Sequence, residues 1–385
     1  MLPVHHDVVI LGGGPAGLAA AITLRRHTAL SVLVADRGPA VRERPGESAP
    51  PQLLDPIRRL GLHDAFVDGG HRRYPGNVSV WGGERPACKD AMFSAVGGPW
   101  RLDRQRFDAL LAQAATDRGA VLAWRTSYAG SEPLDDGHAG YLLRLSDRAT
   151  GALQQVHAGF VIDASGPSAR FARHRGATRT VHDRLYALAC FAPIEPGAMT
   201  MQAIVEATEH GWWYAARLPR DRMVAVHVVD KPAWPALWAH RHRAWQAALA
   251  PTTLIRQVVP DTAPATRHYH AFPVHSSLLE RTEGRGWLAT GDAAASYDPI
   301  VAQGLYKALS DGIQAGDRAA AALSGTGTRT GEPTGYGDAL RARYGDYLRH
   351  RCALYLQEQR WPHAPFWRHR HAHAGNTGPR HEAAA

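Results

Sequence analysis

Cysteine, lysine and long apolar runs are all scarce in this sequence of 385 residues. The cysteines, Cys88, Cys190 and Cys352, lie far apart and have no CxxC spacing. This pattern excludes a disulfide framework and a cysteine-rich zinc site, and it is typical of a reducing compartment. No apolar run reaches about 18 residues, and the N-terminal segment has no signal-peptide features. We therefore predict a cytoplasmic protein with no membrane span and no metal site.

Lysine supplies only three of the 44 basic residues, and the formal net charge is +9. The arginines are scattered along the chain, which argues against a nucleic-acid surface. Two interpretations of the charge remain open. It reflects either a GC-rich genome that favours arginine or attraction to an acidic partner or an anionic cofactor.

The segment DVVILGGGPAGLAAAITLRR, residues 7–26, carries the strongest local signal. It predicts a buried strand, a glycine-rich turn and a helix. Gly12 allows the tight turn, Gly14 lets the backbone approach a pyrophosphate, and Gly17 lets the helix pack closely on the strand. The spacing predicts a dinucleotide-binding site.

The surroundings of this turn strengthen the prediction. The helix begins at Pro15 and Ala16, where free N–H groups and the positive end of the helix dipole favour phosphate binding. A second strand, SVLVAD, ends at Asp36, about 20 residues beyond the turn, as the fingerprint requires. We expect Asp36 to accept hydrogen bonds from a ribose diol.

Three distant segments decide between a nicotinamide and a flavin cofactor. They are an amphipathic helix over 101–115 with Arg104 in its first turn, the strand and turn GFVIDASG over 159–166, and a strand, turn and helix over 285–312. A nicotinamide dehydrogenase usually completes its site within one nucleotide domain. Dispersed segments of this kind favour an FAD site of the glutathione-reductase type.

These segments, with PGESAPP (residues 45–51) and GDAAASYDPIVAQGL (residues 291–305), resemble the single-component FAD monooxygenases and flavin-dependent halogenases. The resemblance implies that Asp292 lies beside the ribityl and pyrophosphate region and Pro299 beside the isoalloxazine. It also implies that the helix N-terminus points its N–H groups at the N1–O2 edge of the flavin. The further cofactor-binding residues implied are Arg37, Ser48, Arg104, Gln303, Gly304 and Leu305.

The segment GWWYAARLP, residues 211–219, departs from the Trp-x-Trp-x-Ile-Pro pattern of the halogenases. None of Lys89, Lys231 and Lys307 stands where a halogenase lysine is expected, so we predict oxygenation. With the C-terminal YLQEQRWPHAPFWRHRH, this segment resembles the flavoproteins that mature the tryptophylquinone enzymes lysine ε-oxidase, glycine oxidase and quinohaemoprotein amine dehydrogenase.

This narrower resemblance implies hydroxylation of a peptide-bound tryptophan, by way of a flavin C4a-hydroperoxide. It implies NAD(P)H as a transient reductant, dioxygen as co-substrate, and a partner that is a precursor polypeptide or quinoprotein subunit. A small-molecule indole or phenol hydroxylase, a flavin-dependent halogenase, and an FAD-binding maturation chaperone without turnover remain alternatives.

The sequence offers fewer candidates for catalysis and substrate contact than for cofactor binding. Glu47 is the candidate catalytic carboxylate, although capping the helix that starts near Gln52 is an equal alternative. Trp212 and Trp213 are candidate walls of an aromatic pocket, although packing within a sheet is an alternative for both. The aromatic segment 360–367 is expected to line the mouth of the substrate pocket.

The predicted fold is α/β, or α+β overall, with interleaved domains. A Rossmann-like FAD-binding domain takes residues 1–75, 100–178 and 276–323, and an antiparallel-sheet substrate domain takes 76–99 and 179–275. A helical C-terminal segment with a loose tail takes residues 324–385.

Overall fold

The computed structural model of the chain describes residues 4–39, 45–91, 96–134, 140–233, 235, 238, 240–259, 268–325 and 335–375. The strands are β1 (His5–Leu11), β2 (Val32–Asp36), β3 (Ser48–Ala49), β4 (Arg72–Arg73), β5 (Gly76–Val80), β6 (Ala87–Asp90), β7 (Trp100–Arg101), β8 (Val121–Trp124), β9 (Thr126–Pro133), β10 (Tyr141–Asp147), β11 (Leu153–Asp163), β12 (Arg179–Asp183), β13 (Leu185–Pro193), β14 (Ala203–Thr208), β15 (Gly211–Leu218), β16 (Arg222–Asp230), β17 (His268–Pro273), β18 (Ser276–Leu279), β19 (Glu283–Gly284), β20 (Trp287–Ala289) and β21 (Ala295–Ser296). The α-helices are α1 (Pro15–His27), α2 (Leu54–Arg59), α3 (His63–Asp68), α4 (Arg104–Asp117), α5 (Arg170–His174), α6 (Arg241–Leu249), α7 (Ile255–Val258), α8 (Gly304–Leu323), α9 (Tyr336–Leu356) and α10 (Pro365–Gly375).

The first large sheet contains the strand, turn and helix predicted at the N-terminus. Its main path runs β19-β20-β11-β1-β2-β8, and β20, β11, β1, β2 and β8 are parallel. The central strands β1 and β2 are buried on both sides because α1 and α8 cover one face and residues of β10, α5 and α9 share the core on the other. This architecture confirms the predicted Rossmann-like α/β fold.

The second large sheet runs in the order β17-β13-β16-β15-β14-β5-β6. Its neighbours are antiparallel except β14 and β5, which are parallel. All its strands fall within residues 76–99 and 179–275, the ranges predicted for the substrate domain. Strand β12 lies in the same range but pairs with β18 in a separate small sheet.

The two faces of the second sheet have different covers. Helices α6 and α7 cover one face, on which Trp213 packs with Trp245. The C-terminal helices α9 and α10 cover part of the other face, where Tyr355, Phe366 and Trp367 are buried. The predicted loose tail lies mostly outside the described residues. Within those residues, no helix combines the length and apolarity needed to cross a bilayer.

Candidate cofactor and active site

Each glycine of the N-terminal fingerprint meets a different steric demand. Gly12 has φ +123°, and a Cβ placed there would lie 2.1 Å from the Ala164 carbonyl oxygen. A Cβ on Gly17 would lie 1.9 Å from the carbonyl oxygen of Gly12, so neither position accepts a side chain. A Cβ on Gly14, by contrast, would meet no atom within 4 Å. The turn therefore leaves an open, backbone-lined approach at the N-terminus of α1, which suits a pyrophosphate.

The carboxylate of Asp36 lies at the end of β2 beside this turn. Its oxygens accept hydrogen bonds from the backbone N–H of Gly13 at 2.8 Å and of Gly38 at 2.7 Å. Each carboxylate oxygen can accept more than one hydrogen bond, so the position is compatible with the predicted ribose contact. The neighbouring Arg37 is exposed.

The turn after β11 packs directly on the fingerprint. Asp163 is buried, and its side chain accepts hydrogen bonds from the backbone N–H groups of Ser165 and Ala172, at 3.0 and 2.9 Å. Burial raises the pKa of Asp163, and these hydrogen bonds oppose that shift. The carboxylate thus fixes the turn that contacts Gly12, and it is a structural group.

A close crossing of α1 and α8 brings the Asp292 segment to the same place. A Cβ on Gly312 would lie 2.2 Å from the Ala16 carbonyl oxygen, and one on Gly291 would lie 2.7 Å from the Ala16 side chain. Small residues allow the two helices to approach this closely. Asp292 therefore lies beside the N-terminus of α1, so it can contact a dinucleotide bound at the glycine-rich turn.

Lys307 is a neighbour of Asp292 that the sequence did not reveal. Its ammonium lies 3.3 Å from the Asp292 carboxylate and 3.5 Å from that of Asp311, and its side chain is 6% exposed. Lys307 and Asp311 are four residues apart on one helix face, a spacing so common in helices that it does not point to a cofactor site. This ion pair holds the Asp292 carboxylate, whose side chain remains 49% exposed.

Arg104 ties the loop around Glu47 to α4. Its guanidinium donates to the carbonyl oxygens of Pro45 at 2.8 Å and Gly46 at 3.2 Å, and it pairs with Asp108 at 3.2 Å. The predicted contact of Arg104 with the cofactor stays a prediction, while its support of the loop is a structural finding.

A cavity of about 90 Å³ lies between this loop and the second sheet. Glu47 contributes a carboxylate, and Phe191 and Leu218 contribute apolar walls. The remaining lining residues are Leu102, Asp103, Arg104, Gln105, Pro219, Arg220 and Arg222. Glu47 does not cap a helix here: the short 3-10 turn starting at Pro51 has no side-chain cap, and Glu47 accepts a hydrogen bond from the Gly46 N–H.

Ser48, Arg101 and Tyr214 form a polar cluster beside Glu47, in which Arg101 is buried and the other two are partly buried. Arg101 donates to the Ser48 hydroxyl at 2.6 Å and to the Tyr214 hydroxyl at 2.7 Å, and the two hydroxyls lie 2.7 Å apart. Burial raises the pKa of Tyr214 well above its usual value, with the charge of Arg101 opposing, so the phenol stays protonated. Arg101 was not among the predicted site residues, because nothing in the sequence shows which way a residue of the short strand β7 points.

The two candidate substrate tryptophans occupy opposite faces of β15. Trp213 is 0% exposed, stacks on His227 at 4.3 Å and points away from the Ser48 face. Trp212 is 2% exposed and donates to the Tyr355 hydroxyl at 3.0 Å. Neither lines the Glu47 cavity, and substrate contact by either tryptophan stays a prediction. Tyr214, between Trp212 and Leu218 on the same face, is the aromatic residue of β15 that reaches the loop.

The C-terminal aromatic segment is likewise part of the core. Phe366 and Trp367 are buried, and the Trp367 indole donates to the Thr208 carbonyl oxygen at 2.9 Å. No residue of 360–367 lines the Glu47 cavity. The aromatic rings of this segment cover the second sheet, and its place at the mouth of a substrate pocket stays a prediction.

Known proteins resemble this chain over most of its length. LodB of Marinomonas mediterranea, whose name gives it as an FAD-dependent oxidoreductase, is 26% identical over 95% of this chain and 97% of its own length. The myxobacterial chondrochloren halogenase CndH superposes with a TM-score of 0.79 at 20% identity, covering 97% of this chain and 89% of that one. QhpG, described as a peptidyl tryptophan dihydroxylase essential for tryptophylquinone cofactor biogenesis, superposes with a TM-score of 0.75 at 24% identity, covering 95% and 78%.

The family model described as FAD binding domain matches residues 5–334. That range contains both the fingerprint at Gly12–Gly17 and the Asp292 segment that the structure brings together. The open backbone at Gly14 and the exposed carboxylate of Asp292 fit a flavin dinucleotide. The chain belongs to the FAD-binding domain family, within the superfamily of FAD-dependent monooxygenases and flavin-dependent halogenases.

Proposed function

We propose that the protein is an FAD-dependent monooxygenase that hydroxylates the indole ring of a tryptophan within a polypeptide. NAD(P)H is the reductant, dioxygen is the co-substrate, and the partner is a precursor polypeptide or quinoprotein subunit that carries the target tryptophan. The reaction balances as one dioxygen, one NAD(P)H and one proton consumed for each hydroxyl group formed and each water released. The match to LodB over nearly the full length of both chains supports an FAD-dependent oxidoreductase, and the likeness to the peptidyl tryptophan dihydroxylase QhpG supports tryptophan as the target.

The Glu47 cavity is the observation that carries the proposal. It lies where the loop beside α4 meets the second sheet, and it combines one carboxylate with apolar walls. Its volume of about 90 Å³ is well below the roughly 300–1,000 Å³ of typical small-molecule pockets. This small volume argues against a polycyclic small molecule as the substrate.

The positions of the lysines favour hydroxylation over halogenation. Lys89 on β6 and Lys231 after β16 are exposed, and Lys307 is paired with Asp292 and Asp311. None of the three lines the Glu47 cavity. Among the residues described as lining this cavity, an amine that could carry hypohalous acid to an indole is therefore lacking.

Gly12, Gly14, Gly17, Asp36 and Asp292 would hold FAD. The bound cofactor supplies the activation of dioxygen that oxygen insertion requires. The chain itself positions the ring against Phe191 and Leu218 and excludes water there. After the C–O bond forms, the ring carbon must lose a proton to restore the aromatic system, and we assign that proton to the Glu47 carboxylate.

The test compares two substrates with purified, FAD-loaded protein. NAD(P)H oxidation is measured with free tryptophan and with an acidic polypeptide that contains one tryptophan, and products are analysed by mass spectrometry. Coupled oxidation with the polypeptide alone, and a gain of one or two oxygen atoms, supports the proposal. Coupled hydroxylation of free tryptophan alone would indicate a small-molecule hydroxylase, and incorporation of added bromide would indicate a halogenase. If NAD(P)H is oxidised with neither the free tryptophan nor the polypeptide, the result would favour a chaperone without turnover.

The matched variant is Glu47→Gln, which keeps the size of the side chain but cannot accept the proton. We expect coupled hydroxylation to fall by about 10²–10⁴, the usual contribution of a general base, without a comparable loss of bound FAD. An unchanged rate in Glu47→Gln would remove Glu47 from the mechanism.

A further inference from the structure

The carboxylate of Asp298 is a buried charge that the proposed chemistry does not use. It is 0% exposed, and one oxygen accepts hydrogen bonds from Arg351 at 3.1 Å and from the Tyr355 hydroxyl at 2.8 Å. The other oxygen accepts from the backbone N–H of Ile300 at 3.0 Å. The backbone N–H of Asp298 donates to the Tyr347 hydroxyl at 2.7 Å. Three residues of α9, spaced four apart on one helix face, thus hold a single residue of the turn before α8.

This turn has a conformation that needs such support. Pro299 begins a 3-10 turn, and Ala302 at its end has φ 52° and ψ 29°, the left-handed region that residues other than glycine rarely occupy. A strained residue persists only where its surroundings determine the backbone. Helix α8 begins two residues later, at Gly304, so the turn sets the position of the first N–H groups of α8.

The turn lies where the two large sheets meet. Ile300 packs against the core beneath the first sheet and against the core on the cavity face of the second sheet. Helix α8 runs from this turn past Ala16 at the dinucleotide fingerprint. A dinucleotide seated on α1 can therefore extend along α8 toward the junction of the sheets.

The hydrogen bonds continue from the turn into the second sheet. The Tyr355 hydroxyl accepts from the Trp212 indole at 3.0 Å. Arg351 also pairs with Asp183, and Arg370 of α10 pairs with Asp183 at 3.0 Å and with Asp230 at 2.7 Å. The C-terminal helices thus join the turn and the substrate sheet through directional polar contacts.

We propose that Tyr347, Arg351 and Tyr355 are positioning residues that hold the Asp298–Gln303 turn in the geometry that FAD requires. They act through the backbone of the turn and not by contact with substrate. This inference rests on FAD as the cofactor and is independent of whether the substrate is a polypeptide. Apolar side chains would hold the turn without the cost of burying charge, but only directional hydrogen bonds fix its orientation.

The experiment compares Tyr355→Phe with Tyr344→Phe. Both remove one buried hydroxyl from α9, but the Tyr344 hydroxyl has no hydrogen-bond partner among the described residues. We measure the Kd for FAD by titration of the apoprotein, the flavin midpoint potential, and the thermal unfolding of the apoprotein. We expect Tyr355→Phe to bind FAD about tenfold more weakly, the loss typical of one hydrogen bond to a charged group, and to shift the potential. The Kd of Tyr344→Phe for FAD should remain within about twofold of the wild-type value.

A second variant, Asp298→Asn, keeps the shape of the side chain and one acceptor oxygen but removes its charge. We expect a shift in Kd and potential in the same direction as in Tyr355→Phe, which carries the test if Tyr355→Phe does not fold. Wild-type Kd and potential in the folded variants would overturn the proposal, even if thermal stability fell. An equal shift in Tyr344→Phe would overturn it too, because helix packing and not the hydrogen bond would then be responsible. Failure to hydroxylate a polypeptide would leave these FAD measurements unaffected.

Discussion

At the carboxyl edge of the first sheet, the backbone itself forms the site, whereas in the second sheet strand register decides which side chains reach it. Gly12 and Gly17 have no room for a side chain because other backbone atoms occupy that space. On β15, the neighbours Trp212 and Trp213 differ only in the face to which they point, and neither reaches the Glu47 cavity. Backbone sites leave a glycine signature in the sequence, but side-chain sites on a sheet do not.

The polar groups on the two faces of the second sheet also differ. The Trp212 indole finds a partner in Tyr355, and the contact continues to Asp298. On the opposite face, Trp213, Trp245 and His227 bury nitrogen atoms that have no hydrogen-bond partner within the described part of the chain. The opposite face is not held by ring packing alone, because the buried Glu206 carboxylate accepts hydrogen bonds from the backbone N–H groups of Leu254 and Ile255 at 2.9 and 3.0 Å. The faces therefore differ in how their tryptophan nitrogens are paired, and both carry directional contacts.

The largest effect should follow from Gly12→Ala. The new Cβ would lie 2.1 Å from the Ala164 carbonyl oxygen at φ +123°, so the turn must move. We expect a loss of more than about 4 kcal/mol in the free energy of unfolding and no measurable FAD binding. Gly14→Ala is the control, since its Cβ enters open space: it should keep the apoprotein stability while weakening FAD binding. Absorbance of bound flavin and urea unfolding of both variants provide the check, and equal stability of the two would contradict the assignment.

Trp213→Ala should rank next. Removing a side chain that is 0% exposed leaves a cavity beside Trp245, and Trp→Ala changes of this kind cost about 3–5 kcal/mol. The KM for the aromatic substrate should not change, because Trp213 lies on the face away from the cavity. Urea unfolding and steady-state kinetics on the folded fraction separate the two effects. A large rise in KM at unchanged stability would restore Trp213 as a substrate residue.

The sequence predicted the fold and the FAD fingerprint because both depend on local rules. Strand, glycine turn and helix follow one another over 20 residues, and each glycine has a steric reason. The sequence missed Arg101 and Lys307, which act through contacts with residues such as Tyr214 and Asp292 far along the chain. It named both Trp212 and Trp213 as candidate substrate residues, because alternation gives two faces but does not say which one meets the cofactor domain.

A smaller effect should separate two helical glycines. Gly312→Ala in α8 would bring a Cβ to 2.2 Å from the Ala16 carbonyl oxygen, and overpacking of this kind costs about 1–3 kcal/mol. Gly345→Ala in α9 meets only the flexible end of Arg349 at 3.7 Å, so it should stabilise by up to about 1 kcal/mol through helix propensity. Thermal unfolding of both apoproteins tests the opposite signs. Stabilisation by Gly312→Ala would show that α1 and α8 are not in close contact.

The smallest effect concerns acid stability on the face away from the cavity. Burial lowers the pKa of His227 to about 3, with a smaller contribution from the charge of His210, while an unfolded histidine titrates near 6.5. Between these values the unfolded chain binds a proton that the folded chain does not, so stability falls as the pH drops from about 6.5 toward 3. The slope approaches about 1.4 kcal/mol per pH unit for one histidine. His227→Phe keeps a ring stacked on Trp213 and removes the titrating group, so its unfolding free energy should fall less steeply between pH 7 and 5. Burial also lowers the pKa of His71, to about 4, so part of the wild-type slope remains in this variant. Urea unfolding could instead give the same slope of unfolding free energy against pH for both proteins. His227 would then be protonated in the folded protein as readily as in the unfolded chain, which would contradict its burial without a hydrogen-bond partner.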